Sequence, residues 1–164
     1  MFKNIIKVFV LGFALLQGTA VAADSISESQ WQLPLKNDQM STTLSSYQGQ
    51  VIWIDFWASW CPPCKASFPW LNEMQQKYAN QGFRIVAINV DEERSDAISF
   101  LRQVPASFDV YFDPDGNAPS QFQIQGMPTA ILVDRDGAIK MFHIGFEEHQ
   151  KGELEDLIRQ AVLR

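Results

Sequence analysis

Apolar and polar positions along this chain alternate between two periods. Val51-Ile52-Trp53-Ile54 is an unbroken apolar, largely β-branched run bounded by Gly49, the pattern of a strand buried on both faces. Asp55-Phe56-Trp57-Ala58 continues it. Phe83 to Val90 predicts a second buried strand and Phe108 to Phe112 a third. Ala130 to Val133 and Ile139 to Ile144 predict two more, joined by Asp134-Arg135-Asp136-Gly137, a strong hairpin signal. Between strands the period lengthens. Phe68, Leu71, Met74 and Tyr78 form one stripe of a helix from Pro62 to about Tyr78 that ends near Asn80-Gln81-Gly82. Pro69 lies inside it and is expected to kink it.

Further helices are predicted through about Gln103, over Pro119 to Phe122, and from Gln150 to Val162, where Leu154, Leu157, Ile158 and Ala161 share a face. Ahead of the central strand, Trp31-Gln32-Leu33-Pro34-Leu35 alternates and Lys36-Asn37-Asp38 is turn-like. With Leu44 to Tyr47 this predicts two short strands and a tight turn. Strands alternating with helices imply an α/β fold with central parallel strands, helices on both faces and an antiparallel C-terminal hairpin.

The first residues carry a different pattern. Lys3 and Lys7 precede an apolar run from Val8 to Leu16 and then Thr19-Ala20-Val21-Ala22-Ala23, the layout of a signal peptide over residues 1–23, with cleavage after Ala22 or Ala23. The alternative is an uncleaved membrane anchor, but Gln17-Gly18-Thr19 ends the run well short of the roughly 20 apolar residues a span needs. Residues 24–164 then form one domain, expected to be monomeric and periplasmic. Removing Lys3 and Lys7 from the 13 basic residues leaves 11 against 19 acidic ones, a net charge of −8 in place of −6. So acidic a surface argues against nucleic acid or an anionic membrane as partner.

The two cysteines of the chain stand together in Trp60-Cys61-Pro62-Pro63-Cys64-Lys65. Two prolines fit the first turn of a helix, so Cys61 is placed at its N-cap, facing the positive end of the helix dipole and the free amide of Cys64. That environment favours thiolate, the nucleophile of disulfide exchange. Cys64, one turn on, is within reach for a disulfide. A purely structural bridge is the bland reading, but so short a loop constrains the unfolded chain little. Asp55 interrupts an apolar strand, where a carboxylate is expensive without a task. It is the candidate acceptor for the Cys64 proton, against the bland reading of a solvated strand-end acid.

The strand, the Trp-Cys-Pro-Pro-Cys-Lys segment and the later Gly126-Met127-Pro128-Thr129 together resemble the thioredoxin superfamily. The lead-in before the central strand resembles its TlpA/ResA-like branch of disulfide oxidoreductases, with the likeness running from about Trp31 to Leu163. The resemblance implies a thioredoxin fold with a short N-terminal β extension and a redox-active Cys61–Cys64 disulfide. Cys61 attacks, Cys64 resolves, and Asp55 matches the buried acid of thioredoxins. It implies that Pro128 is a cis-proline facing the dithiol, that Met127 offers backbone to a client, and that Trp60 covers Cys61. It implies no cofactor and no metal, client proteins with disulfides as substrates, and a membrane-bound thiol reductase of the DsbD kind as electron donor.

Two positions depart from that branch: Asp55 stands where many members have Asn, and Ser67 where many have Glu. The acid has moved from helix to strand. A different class of function, a copper or other metal carrier, would use Cys61, Cys64 and His143 or His149. Other features take plainer readings: Trp70 a packed surface aromatic, Lys65 a solvated helix residue, and Asp91-Glu92-Glu93 a solvated complement to a helix dipole.

Overall fold

The computed structural model describes residues 25–164. The signal-peptide reading of residues 1–23 lies outside the described residues. Among these, no helix is long and apolar enough to cross a membrane.

Five strands build one sheet. β3 (Val51–Trp57) is central and buried at all seven positions. It pairs in parallel with β4 (Phe83–Asn89), which pairs in parallel with β5 (Asp109–Phe112). On its other side β3 pairs antiparallel with β6 (Thr129–Val133), and β6 with β7 (Ile139–Ile144), so the order is β5-β4-β3-β6-β7. The parallel core and antiparallel hairpin follow the pattern expected from sequence. In the hairpin turn the Gly137 N–H donates to the Asp134 carbonyl, and Gly137 takes a φ of +84°, which a side chain would strain.

Alternation along β3 divides its side chains between two cores. Trp53 and Trp57 face α2 (Pro62–Tyr78), α3 (Arg94–Gln103) and α5 (Lys151–Val162), while Ile52, Ile54 and Phe56 face the opposite side. That second side is covered by α4 (Asn117–Gln121) and by the N-terminal segment. Helices therefore lie on both faces.

The N-terminal segment differs from the expected strand at Trp31. Residues Glu28–Trp31 form a short helix, α1, and pairing begins later, between β1 (Pro34–Lys36) and β2 (Ser41–Thr43). The physical reason is a capping box: Ser27 Oγ accepts from Gln30 N–H, and the Gln30 side chain accepts from Ser27 N–H. Ser27-x-x-Gln30 outweighs the alternation read over Trp31-Leu35. Side chains fasten this segment to the β5 edge. Asn37 donates to the Val110 carbonyl at 3.1 Å, and the Tyr47 hydroxyl donates to Asp109 at 2.7 Å and lies 2.7 Å from the Tyr111 hydroxyl.

Trp70 is a second correction. It is 3% exposed, not a surface residue: its ring stands edge-on to Trp53, with centroids 5.5 Å apart, and tilts against Phe146. The stripe of α2 is wider than Phe68, Leu71, Met74 and Tyr78, because Trp53 and Phe146 cover the flank on which Trp70 stands. Pro69 sits on the exposed side, and the helix continues through it.

Candidate active site

The cysteines occupy the junction where β3 gives way to α2. Cys61 is the N-cap, with extended backbone angles (φ −98°, ψ 104°), and Pro62 and Pro63 fill the next two positions. There the lack of N–H leaves no hydrogen bond unmade. The Cys64 N–H donates to Cys61 Sγ at 3.2 Å. Cys61 and Cys64 are joined as a disulfide with their Cα atoms 5.3 Å apart. Cys61 keeps 3% of its surface exposed and Cys64 none, so of the two only Cys61 is open to an incoming group.

Trp60, Met127 and Pro128 lie in loops at the same end of the molecule. Trp60 is 68% exposed. The Met127–Pro128 bond is cis, as the resemblance implied, and Pro128 is buried while Met127 is half-buried. Among the described residues, neither the N–H nor the carbonyl of Met127 takes part in a turn or loop hydrogen bond.

Asp55 is 2% exposed, which removes the reading of a solvated strand-end acid. It shares the face of Trp53 and Trp57, toward α2. Its Oδ1 accepts from Trp53 Nε1 at 3.3 Å, while Oδ2 is buried without a protein partner. Burial pushes the carboxyl up from 3.8 to about 7, and the Trp53 bond, which favours the anion, does not offset this. Register places Ala87 of β4 on one side of Asp55 and Ala130 of β6 on the other, so neither flanking strand supplies a countercharge. Ser67 is 2% exposed and donates to the Cys64 carbonyl at 3.0 Å.

One residue that positions the site was misread from sequence. Asp91 is not a solvated helix-start acid; it is 5% exposed. Its carboxylate accepts from the Ser59 N–H at 3.0 and 3.1 Å, from the Ser59 hydroxyl at 3.1 Å and from the Asn89 side-chain amide at 2.8 Å. Asp91 thereby fastens the loop that carries Trp60 and Cys61. The signal was available: β3 and β4 are parallel and end together at Trp57 and Asn89, so residues just beyond each must meet. Asp91→Ala leaves these donors unpaired, and we expect a loss of about 3 kcal/mol. Urea melts of the two proteins check this, and a loss below about 1 kcal/mol would show the loop held by other means.

The residues of the metal-carrier alternative do not converge. His149 stands exposed beside Glu147 at 3.2 Å, and His143 is on the edge strand β7. Among the described residues no three His, Cys, Asp or Glu side chains come together as a metal site.

Comparisons with known proteins agree with this geometry. Residues 18–158 match the Redoxin family. The thiol-disulfide oxidoreductase ResA of Bacillus thuringiensis subsp. konkukian (strain 97-27) is 30% identical over 119 residues, 73% of this chain and 68% of that one. ResA of Bacillus subtilis (strain 168) is 26% identical over 141 residues, 82% of this chain and 77% of its own. Among solved structures, a Chlorobium tepidum protein assigned as thiol:disulfide interchange protein DsbE superposes with a TM-score of 0.80 at 44% identity, covering 85% of this chain and 96% of its own. With a bridged Cys61–Cys64 pair at a helix N-terminus on this fold, the chain belongs to the Redoxin family, as a TlpA/ResA-like thiol:disulfide oxidoreductase of the thioredoxin superfamily.

Proposed function

We propose that this protein is exported, through residues 1–23, and reduces disulfides of client proteins in the periplasm with its Cys61-Pro62-Pro63-Cys64 dithiol. The Cys61 thiolate attacks one sulfur of a client disulfide, forming a mixed disulfide and releasing one client thiolate. Cys64 gives up its proton, with Asp55 as the internal base, and attacks Cys61 Sγ. The Cys61–Cys64 bridge closes, and the second client sulfur leaves as thiolate. Two electrons and two protons from a membrane-bound thiol reductase reopen the bridge. An extended client pairs with the Met127 backbone as an added strand beside Pro128, and Trp60 supplies an apolar contact. Residues 24–164 act as a monomer.

The observation that carries the direction of transfer is the thin hydrogen bonding of Cys61. Its sulfur accepts from the Cys64 N–H alone among the described residues, and Pro62 and Pro63 have no N–H to add. A thiolate with few donors is less stabilised, so the reduced form is less favoured and the couple more reducing. Equilibration with glutathione buffers should place the potential nearer about −270 mV than about −120 mV, and a value above about −180 mV would overturn the reductant reading. Cys64→Ser should hold clients at Cys61 as mixed disulfides, identifiable by mass spectrometry from the native compartment.

A further inference from the structure

Between the sheet and α2 lies a small cavity of about 10 Å³. Asp55 on β3, Ser67 on α2 and His143 on β7 contribute its polar wall, and Trp70, Pro128 and Phe146 contribute apolar parts. Two of the lining residues each carry a buried polar atom without a protein partner: Asp55 Oδ2 and His143 Nε2. Unpaired buried polar atoms are rare and call for a reason. Here two of them border one space of about the size a single water requires, and three polar groups surround it.

The sheet explains how they meet. Register aligns Ala87, Asp55, Ala130 and His143 in one row across β4, β3, β6 and β7. Residues in such a row share a face, so Asp55 and His143 lean the same way with only the Ala130 methyl between them. Among the residues lining the cavity, no Lys or Arg stands on any element. Neither α2 nor β6 contributes an ionised group to that lining, and Lys151 of the last helix is paired with Glu148 at 2.6 Å, with its ammonium 5.8 Å from the centre of the Phe146 ring. His143 is therefore the titratable group that faces Asp55. It is half-buried on an edge strand, and so touches both the cavity and solvent.

We propose that His143 is the second station of a proton relay that empties the dithiol site, receiving through one water the proton that Asp55 takes from Cys64 and releasing it at the β7 edge. The inference rests on the reading of Asp55 as the internal base. As Cys64 becomes a thiolate, the Asp55 carboxylate becomes a carboxylic acid. The proton then moves through the water to His143 Nε2, the carboxylate is restored, and the imidazolium loses a proton to bulk water. Charge is conserved at each transfer, and no electrons move. His143 is a positioning residue for the proton, acting through Asp55.

The test is resolution of a preformed mixed disulfide between Cys61 and a small aromatic thiol, followed by stopped flow from pH 6 to 9 in wild type, His143→Gln and Asp55→Asn. We expect His143→Gln to slow resolution about tenfold at pH 7, less than the loss of a direct general base, because His143 acts one transfer removed from Cys64. The deficit should narrow toward about pH 9, as hydroxide from bulk water takes over the proton that the relay otherwise removes. Equal slowing at every pH would mark a structural role and overturn the relay. Wild-type rates in His143→Gln with slow resolution in Asp55→Asn would refute the relay and leave the base standing. Unchanged rates in Asp55→Asn would remove the base itself, and the relay with it. Should His143→Gln fail to fold, nuclear magnetic resonance titration of the His143 ring decides. Two inflections in wild type and one in Asp55→Asn support the relay, and a single inflection in both overturns it.

Discussion

Asp55→Asn is expected to be more stable than wild type by about 2 kcal/mol at pH 7 and about 100-fold slower in resolving its mixed disulfide. The folded carboxyl titrates near 7 against 3.8 for an unperturbed aspartate, because burial disfavours its anion. Below the lower value both folded and unfolded chains hold the proton, and the shift has no effect on stability. As pH rises from about 4 to about 7 the unfolded chain loses that proton more readily, and the folded state is progressively penalised, by about 4 kcal/mol in full. Asparagine removes the penalty but buries an amide, which offsets part of the gain. The advantage should thus be greatest at and above pH 7 and disappear toward pH 4, where the amide's own burial is all that remains. Urea melts at pH 4, 7 and 8, with stopped-flow resolution alongside, measure both halves. An Asn variant that is destabilised at pH 7 yet fully active would contradict each of them.

Phe68→Ala should cost about 3–5 kcal/mol, the range for removing a buried aromatic ring. Phe68 is fully buried, on the turn after Cys64. Its ring packs against Trp57 at 4.9 Å, Phe100 at 5.1 Å and Phe108 at 5.3 Å, joining α2 to β3, to α3 and to the segment entering β5. Edge-to-face geometry at all three contacts adds to simple burial. Phe68→Leu keeps most of the volume and should lose about 1–2 kcal/mol. Urea melts of the oxidised proteins check both values. A loss under about 1 kcal/mol for the alanine would mean that the neighbouring rings close the gap.

Most of the sheet and the dithiol were legible because local rules agreed with the global fold there. The apolar run over β3, the Asp-Gly turn and the prolines after Cys61 each point to one structure, and Cys61 takes its place as N-cap for the same reason that the prolines are tolerated. What was misread depends on partners distant in sequence or on short polar signals. Trp31 lies at the end of a four-residue helix set by Ser27 and Gln30, too short for any hydrophobic period to register. Trp70 is buried by Phe146 from beyond β7. Asp91 reads as one of three acids until β3 and β4 are laid side by side. His143 was weighed only as a metal ligand; its position opposite Ala130, in line with Asp55, exists only once three strands are in register.

The fastening of the N-terminal segment to β5 bears on when the chain can close. Tyr47 finds its hydroxyl and carboxylate partners at residues 109 and 111, and Asn37 finds its carbonyl at residue 110, separations of more than 60 residues. A chain delivered N-terminus first holds β1, β2 and Tyr47 without these partners until β5 has emerged and paired with β4. Loop-closure entropy weighs against such distant contacts until the intervening strands have shortened the path. The extension that precedes the thioredoxin core in sequence is, in assembly, the part whose attachment must wait for the middle of the chain.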